Sequence, residues 1–470
     1  MTSFRVSKIL VAISSDVYVR NYLKTDALVG LETQFDCHFI ADQSLSLTED
    51  LESKPGFRGF YTVSGPTQKR HRRLFNIMMW RHRKKSRTFL YRWLRNAQWH
   101  LIDRSHGPFK RGLSTIRWFF SALANPEGLI VPLLGNRIIF PLASRWLQSQ
   151  IPLSEEFRTL IERENYDAVI IPSAAFDEMS VDLTRVCNHL GITSLCLIDN
   201  WDNLSSKTVF WERPSHIGVW GPQATEQATR IHGFSNEQVH EIGTPRFDQY
   251  FSTRSKRQTT RSNNFPYILF VGSAMPFDEI SALNKIEKVL TDDPTAPADL
   301  RIIYRPHPWQ QKRRSKSEFR PEQFDRVILD KQMELAHERF PHRLQPVTAF
   351  QPDLAYYPQL LGNADCVIGP LTTMLLEAAI CLRPVIGLNY YDGVHINTSR
   401  RYFSHFDGAE KIPGFTFCNS EKELELHIRN ALEMPSISSK ESDSVVREFI
   451  HISDTPYSER LLQLVNRIIG

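Results

Sequence analysis

The chain has 470 residues, which is too long for one ordinary hydrophobic core and predicts two or three domains. Its hydrophobic content of 41% and charged content of 23% are typical of a soluble globular protein, and no run of 18 apolar residues is present, which excludes a membrane span of the usual kind. The formal charge of +5 conceals a local excess, because 15 Lys or Arg residues and one acid, Asp103, lie between Lys69 and Arg117.

The six cysteines are scattered, with no CxxC pair and no Cys/His cluster. This usage indicates a reducing compartment and no structural zinc. The apolar run near the N-terminus is shorter than the core of a signal peptide and is more typical of a first strand. We therefore expect a cytoplasmic protein.

Strands and helices alternate from the N-terminus. Lys8–Ser14, KILVAIS, is a short apolar run rich in β-branched residues, and Asp16 follows it. A helical pattern over Tyr22–Leu31 leads to a second predicted strand, Cys37–Ala41. This order is typical of a parallel sheet.

The segment of residues 69–147 interrupts this alternation. It is basic and aromatic, its pattern is helical, and it contains five of the nine tryptophans: Trp80, Trp93, Trp99, Trp118 and Trp146. Basic helices that carry Trp, Phe and Leu suit an anionic membrane surface. A helical insertion that packs its aromatic side chains on the domain explains the same pattern. Nucleic-acid binding would also use basic and aromatic side chains, but no recognition motif accompanies them, so we do not expect nucleic acid as a partner.

The alternation then returns. Predicted elements follow in the order helix, strand, helix and strand: Glu155–Glu164, Asp167–Ser173, Glu178–Leu190 and Ile192–Asp199. The last strand leads into the polar loop NWDNLSSK, which holds Asp202.

Residues 252–264 contain no apolar side chain and form the best linker in the sequence. A second α/β unit follows, with strands predicted at Tyr267–Gly272, Arg301–Tyr304, Asp325–Asp330, Cys366–Gly369 and Pro384–Leu388. We predict an N-terminal Rossmann-like domain over residues 1–251 that carries the basic insertion, and a C-terminal one over residues 265–470. Two such domains imply a cleft between them.

The stretch LRIIYRPHP, Leu300–Pro308, reads as a buried strand followed by a loop. Ligands of open α/β sheets bind outside the carboxyl ends of the strands, so Arg305 and His307 are candidates for binding a nucleotide phosphate. Prolines on both sides of His307 restrict its backbone, and an imidazole can donate to a phosphate oxygen. His307 could instead cap a turn, and Arg305 could pair with a neighbouring carboxylate.

A second candidate segment is GPLTTMLLE, where a loop becomes a helix. Thr372 and Thr373 stand at this helix N-terminus, where their hydroxyls could cap the helix, bind a phosphate, or do both. Glu377 lies one turn further along and could reach a nucleotide ribose or remain a solvated carboxylate.

The sequence lacks GxGxxG, GxxxxGK[ST], GxSxG and HExxH, so dinucleotide reductase, ATPase, serine-hydrolase and zincin activities lose their usual support. Apart from Asp199 and Asp202, no pair of aspartates suggests a metal site.

Four motifs resemble a known family. VHEIGTPRFD, YRPHP, NADCVIGPLTTMLLEAAICLRPVI and SDTPYSERLLQLV resemble, in the same order, motifs of CDP-glycerol glycerophosphotransferases and related GT-B glycosyltransferases of bacterial surface polysaccharides. YRPHP also resembles the HP motif of CMP-sugar transferases for sialic acid and Kdo. The resemblance covers about residues 167–470. It departs from the family at Gly369 and Pro370, which stand where an acidic residue and a tyrosine are usual.

The resemblance implies two Rossmann-like domains facing a cleft, and donor-phosphate contacts for His307, Thr372 and Thr373, with Arg246 only a structural candidate. It implies transfer of a sugar or sugar-phosphate-like group from a nucleotide donor to a surface-polysaccharide or lipid-linked acceptor. An inverting enzyme also needs a general base, for which Asp16, Asp199 and Asp202 are candidates. We expect no metal and no cofactor, and we expect the basic segment to hold the enzyme at the cytoplasmic membrane face.

Two other functions fit the same sequence. A sugar-nucleotide epimerase of similar fold would bind the same class of donor. A non-catalytic scaffold at a membrane surface or on nucleic acid would keep the fold without turnover.

Overall fold

A computed structural model describes residues 6–46, 51–96, 112–113, 115–116, 120, 126–255, 265–274, 277–307, 319–334, 354–392 and 400–470. The chain forms two compact units. The first consists of Met1–Pro245, Arg401–His405 and Ser453–Gly470, and the second of Arg246–Arg400 and Phe406–Ile452.

The first unit is built on a seven-stranded parallel sheet with the order β3-β2-β1-β4-β5-β6-β7. Its strands are β1 Lys8–Ile13, β2 Asp36–Asp42, β3 Phe57–Tyr61, β4 Ala168–Ser173, β5 Thr193–Ile198, β6 His216–Val219 and β7 Val239–Glu241. The central strands β1, β4 and β5 are almost wholly buried, as expected for a parallel sheet covered on both faces.

Nine α-helices with defined bounds precede the last segment of this unit, and the described residues 112, 113, 115, 116 and 120 are also helical. The nine helices are α1 Asp16–Tyr18, α2 Val29–Gln34, α3 Gly65–His82, α4 Arg87–Asn96, α5 Pro126–Leu134, α6 Phe140–Ser149, α7 Glu155–Glu164, α8 Glu178–Leu190 and α9 Pro222–Arg230. Helices α3 to α6 lie in and beside the basic segment. Much of that segment, including Trp99 and Trp118, falls outside the described residues.

The second unit contains a six-stranded parallel sheet with the order β10-β9-β8-β11-β12-β13. Its strands are β8 Tyr267–Val271, β9 Arg301–Arg305, β10 Val327–Leu329, β11 Cys366–Pro370, β12 Val385–Leu388 and β13 Phe415–Cys418. Its helices are α10 Arg246–Ser255, α11 Glu279–Asp292, α12 Tyr356–Asn363, α13 Thr373–Ile380, α14 Leu424–Leu432 and α15 Ser439–Val446.

The predicted fold class is confirmed: each unit is an α/β sheet of the Rossmann type. The pattern did not predict β3 or β13. Both are edge strands in their sheets. Strand β3 is largely half-buried and so does not require a continuous apolar run, and β13 has only four residues.

The first long segment of the first unit ends at Pro245, six residues before residue 251, the predicted end of the first domain. Helix α10 covers residues 252–255 of the predicted linker, and residues 256–264 lie outside the described part of the chain. A half-buried ion pair holds α10 in place there, because the Arg254 guanidinium donates to both carboxylate oxygens of Asp443 on α15, at 2.6 and 2.9 Å.

The last helix, α16 Tyr457–Ile469, belongs to the first unit rather than to the second. Its apolar face, which includes Leu461 and Leu464, is buried in the core around β1 and α2. The Arg460 Nε donates to the carbonyl of Ile242 at 3.0 Å. In the part of the chain that the structure describes, no helix has both the length and the hydropathy needed to cross a bilayer.

Candidate functional site

Both sheets share one topological feature. Strand order reverses beside the first strand of each unit, between β1 and β4 in the first and between β8 and β11 in the second. Open α/β sheets bind ligands at such switch points, outside the carboxyl ends of the strands. The loops that follow these four strands are therefore the places where a ligand site is expected.

In the second unit, Gly272 follows β8 and lets two loops approach each other closely. A Cβ atom at this position would lie 2.7 Å from Oε2 of Glu279, 2.8 Å from the backbone N of His307 and 3.0 Å from Cα of Pro306. Only a residue without a side chain fits there. The loop that carries His307 is consequently packed against the first loop of the unit.

A buried carboxylate holds that first loop in place. The Glu279 side chain, at the start of α11, is 4% exposed; its Oε1 accepts from the Ser273 backbone N at 3.0 Å and its Oε2 from the Tyr304 hydroxyl at 2.7 Å. Burial, and then the negative charge of Glu279, raise the pKa of Tyr304 well above its usual value. Ser273 Oγ also donates to the Leu371 carbonyl at 3.4 Å, which links the loops after β8 and β11.

Arg305 is the last residue of β9 and is held inside the unit. Its Nε donates to the Tyr357 hydroxyl at 3.4 Å, and its guanidinium lies 5.1 Å from the centre of the Tyr357 ring. Burial favours a lower pKa for Arg305, but Tyr357, Asp330 and Glu377 outweigh burial and raise it. Arg305 is thus surrounded by groups that favour its charge, and His307, two residues on, is half-buried.

Thr372 stands at the N-cap position of α13 with an extended backbone, φ −139° and ψ 157°. Its side chain makes no capping hydrogen bond to the helix. Thr373 is the first helical residue, and both threonines are half-buried. A helix N-terminus whose cap hydroxyl does not bind its own amides can offer both the hydroxyl and the amides to an anion.

Glu377 is not a solvated carboxylate, which was one of its two predicted alternatives. It is 5% exposed; Arg246 Nη2 lies 3.2 Å from its Oε1, and the Tyr250 hydroxyl donates to its Oε2 at 2.5 Å. Both oxygens are therefore used to hold α10 against α13. The ribose contact stays a prediction.

In the first unit, Asp16 follows β1 at the switch point and is half-buried. Burial raises the pKa of its carboxyl, although a hydrogen bond from the Val17 backbone and the charge of Arg20 partly oppose this effect. A carboxylate with a raised pKa is better suited to accept a proton than an ordinary surface aspartate.

Asp199 follows β5 and is 3% exposed. Its Oδ1 accepts from Asn21 Nδ2 at 2.8 Å, and its Oδ2 accepts from Asn200 Nδ2 at 3.2 Å. The Asn21 bond connects the segment after β1 with the end of β5. Asp199 thus serves as an anchor between the two loops.

Asp202 is paired within its own loop. Lys207 Nζ lies 2.9 Å from its Oδ2, and Ser206 Oγ donates to the same oxygen at 3.0 Å. Burial favours a higher pKa for Asp202, but the positive charges of Lys207 and His405 and the hydrogen bonds from Lys207 and Ser206 outweigh it and lower the pKa to about 2. A carboxylate this acidic is a poor general base.

The structure therefore groups the predicted residues by unit. It places Asp16, Asp199 and Asp202 at the carboxyl edge of the first sheet. The five others lie in the second unit: Arg305, His307, Thr372, Thr373 and Glu377.

Sequence reasoning missed four residues of these loops, namely Asn21, Ser273, Glu279 and Tyr304. One signal was present: Gly272 and Ser273 form the first turn between strand and helix of the second unit, where Rossmann folds commonly bind phosphate. No sequence pattern indicated the partners of Asn21 and Tyr304.

Among the described residues, one group of side chains has metal-ligand atoms close together. Cys418, Glu423 and His427 present atoms that all lie within 4.8 Å of one another. However, the Cys418 thiol donates to the Ser420 carbonyl at 3.1 Å, burial raises its pKa to about 12, and Glu423 accepts from the Asn419 backbone N at 3.1 Å. These contacts explain the group without a metal.

The chain is similar to several solved structures. One is a candidate UDP-N-acetylglucosamine 2-epimerase from Listeria monocytogenes, with a TM-score of 0.50 and 8% identity over 98% of this chain and 96% of that chain. This is the GT-B fold class. The glycotransferase of kitacinnamycin has a TM-score of 0.49 and 9% identity over 99% of this chain and 100% of that chain.

The Methanocaldococcus jannaschii UDP-GlcNAc 2-epimerase, solved with UDP-GlcNAc and UDP, has a TM-score of 0.48 and 11% identity over 98% of this chain and 99% of that chain. No protein-family model and no curated protein matches the chain. At these identities the likeness establishes the fold alone. The CDP-glycerol and CMP-sugar subtype stays a prediction.

Proposed function

We propose that the protein is a glycosyltransferase that moves a sugar or sugar-phosphate-like group from a nucleotide donor to a surface-polysaccharide or lipid-linked acceptor. The observation that carries this proposal is the carboxyl edge of the second sheet. There, the switch point brings together a glycine turn at Gly272 and the helix N-terminus at Thr372, whose hydroxyl makes no capping bond.

The donor nucleotide is assigned to this edge. The first amides of α13 and the hydroxyls of Thr372 and Thr373 would bind one phosphate of the donor. His307, whose loop packs on Gly272, would donate a hydrogen bond to the phosphate oxygen on which negative charge develops as the bond to the sugar breaks. Fixed donors at that position lower the barrier because they need no reorganisation during the reaction.

Arg305 and Glu377 receive supporting roles in this proposal. Arg305 contacts Tyr357, and Glu377 contacts Arg246 and Tyr250, so both side chains position the strand and helix ends that carry His307 and Thr372. The positive charge of Arg305 adds to the potential that a phosphate would meet.

Asp16 is the proposed general base of an inverting reaction. The oxygen of an acceptor hydroxyl forms a bond to the anomeric carbon, the bond from that carbon to the donor phosphate oxygen breaks with its electron pair, and the hydroxyl proton passes to Asp16. Asp16 is preferred because its pKa is raised, whereas Asp199 accepts two amide hydrogen bonds and Asp202 is paired with Lys207.

The second candidate is a sugar-nucleotide epimerase, the activity named for two of the similar structures. An epimerase would use the same donor edge, because it too must bind a nucleotide diphosphate. The two activities differ in their products. A transferase yields a new glycoside and a free nucleotide, whereas an epimerase yields an isomerised sugar.

The decisive experiment combines binding with product analysis. We expect at least one of CMP, CDP, UDP, GDP and ADP to raise the melting temperature of the wild type and to do so less for His307→Ala. His189→Ala, at an exposed position on α8, is the matched control and should respond like the wild type. If no nucleotide stabilises the wild type, the proposal fails and a non-catalytic scaffold is favoured. An isomerised sugar without a glycoside product would instead identify an epimerase.

A further inference from the structure

Four large apolar side chains are exposed on α5, on α6 and on the short turn between them, a stretch that we call the hairpin. Leu133 is 58% exposed, Ile138 83%, Leu142 71% and Trp146 60%. They lie within fourteen consecutive residues, and Ile138, Leu142 and Trp146 are spaced four apart. We call these four side chains the hairpin surface. Single exposed apolar residues are ordinary, whereas contiguous exposed apolar patches are typical of interaction sites.

The opposite side of the hairpin already contributes to the core. Leu147 and Val131 are buried with Leu74 and Ile77 of α3. Gly135, between α5 and α6, lies so close to α3 that a Cβ atom there would come within 2.5 Å of the Trp80 ring. The hairpin is therefore packed in place by its inner side. The four apolar residues on its outer side do not belong to this core cluster.

Positive charge surrounds the hairpin surface. Arg137 and Arg145 are exposed on the hairpin itself. Arg70 donates to the Gln150 carbonyl at 2.6 Å beyond the end of α6, and the Arg81 guanidinium lies 4.2 Å from the centre of the Phe140 ring at its start. Helix α3 thus runs alongside α6 and brings its exposed basic residues, Lys69, Arg72 and Arg73, to the same part of the unit.

Acidic residues are almost absent from this part of the chain. From residue 65 to residue 153 the sequence contains only Asp103 and Glu127. A cationic surface with an aliphatic and indole centre matches a bilayer that contains anionic lipids, because headgroups attract the guanidinium groups while Leu, Ile and Trp enter the interface. A second copy of the chain would bring arginines against arginines.

We propose that the hairpin surface docks the protein on an anionic lipid bilayer. The contact is interfacial: Leu133, Ile138, Leu142 and Trp146 enter the boundary between headgroups and acyl chains, and Arg137 and Arg145 bind lipid phosphates. This inference rests on the exposed residues of the first unit alone and does not depend on the proposed transferase activity.

Vesicle flotation of the full chain tests the proposal. We expect binding to phosphatidylcholine vesicles that contain phosphatidylglycerol, weak binding to phosphatidylcholine alone, and loss of binding at high salt. Leu142→Glu/Trp146→Glu should reduce the bound fraction by about tenfold, because two apolar contacts become charged. Arg137→Glu/Arg145→Glu should reduce the preference for anionic vesicles, because two of the cations at this surface become anions.

The matched control is Leu426→Glu, at a position of α14 that is 58% exposed in the second unit, and it should bind vesicles like the wild type. Each variant is checked for folding by its melting temperature, and Leu142→Ser/Trp146→Ser replaces the glutamate pair if that pair unfolds. Three results would overturn the proposal: no binding by the wild type, equal binding to neutral and anionic vesicles, or unchanged binding by the folded hairpin variants. A dimer that Leu142→Glu/Trp146→Glu dissociates, without vesicle binding, would show that this surface joins two copies instead.

Discussion

The Arg246 guanidinium and the Glu377 carboxylate form a buried ion pair, with Nη2 and Oε1 3.2 Å apart and side chains that are 14% and 6% exposed. The pair joins the first residue of α10 to the middle of α13. Because Thr372 is the N-cap of α13, the position of the proposed phosphate-binding helix depends on this contact. Removing one partner of a buried ion pair lowers protein stability far more than replacing both partners does.

Glu377→Ala should destabilise the protein by about 3 to 5 kcal/mol, because it removes the carboxylate from a buried guanidinium and from the Tyr250 hydroxyl. Urea unfolding measures the change. Glu425→Ala removes the partner of an exposed pair with Arg429 and should cost about 0.5 kcal/mol or less. Equal losses in the two variants would contradict the role given to Glu377.

Thr372→Ala should weaken nucleotide binding and leave the free energy of unfolding almost unchanged, since this hydroxyl makes no capping bond. Thr372→Ser should keep most of the nucleotide-induced rise in melting temperature. The contrasting variant is Ser438→Ala, because Ser438 Oγ accepts from the Glu441 backbone N at 3.4 Å and caps α15. That variant should lose about 1 kcal/mol of stability and bind nucleotide normally.

Asp16→Asn should lower kcat by about a hundredfold or more while nucleotide binding persists, because it removes the proposed proton acceptor and keeps the shape of the side chain. Transferase assays with a nucleotide sugar and a thermal shift with the nucleotide alone separate the two effects. Asp36→Asn, at an exposed acid of the first unit, is the control. A fully active Asp16→Asn enzyme would rule out Asp16 as the base.

Asp202 should make stability depend on pH in the acid range. Its pKa is lowered from the ordinary value of 3.8 to about 2. The charged Asp202 carboxylate therefore stabilises the folded state by about 2 kcal/mol at pH values above the pKa of the unfolded state. This stabilisation is lost as pH falls from about 4 to about 2. Unfolding of the wild type and Lys207→Met, followed across this range, should show a smaller pH dependence for Lys207→Met. Identical pH dependence would mean that Lys207 does not hold the charge of Asp202.

His232 should make stability depend on pH in a higher range than Asp202 does. It is 3% exposed, and its Nε2 donates to the Leu204 carbonyl at 2.6 Å. Burial lowers the pKa of His232 from 6.5 to about 3. The hydrogen bond to Leu204 opposes this shift, and the positive charges of His82, Lys85 and Arg213 add to it. The folded state keeps the ring neutral, so the stabilisation is complete above 6.5 and is lost as pH falls towards 3.

His232→Gln should flatten the stability curve between about pH 6.5 and about pH 5, because the unfolded state of the wild type takes up a proton there and the variant cannot. Chemical unfolding at a series of pH values measures this slope. His189→Gln on α8 serves as the substitution control and should keep the wild-type slope if His232 is the source. A steep slope that persists in His232→Gln would assign the effect to other groups.

Local signals account for the elements that sequence predicted best. Helix α7 begins after Ser154, whose Oγ accepts from the Phe157 backbone N, and α8 is capped at its C-terminus by Gly191, which lies in the left-handed region with φ 70°. Both helices have the predicted bounds, because caps and apolar spacing act over four residues or fewer. The buried strands of both sheets were visible for a similar reason, as runs of adjacent apolar residues.

The sequence by itself therefore determined the α/β class, most strands and helices, and the loops that could bind a ligand. Tertiary structure decided which side chains those loops would engage. Asn21 meets Asp199 across 178 residues, Tyr250 meets Glu377 across 127, and α16 returns to the first unit. Local sequence patterns do not encode such contacts, because they form only after separate strands and helices have packed together. Buried polar and charged groups then need partners, and those partners can lie far away in the sequence.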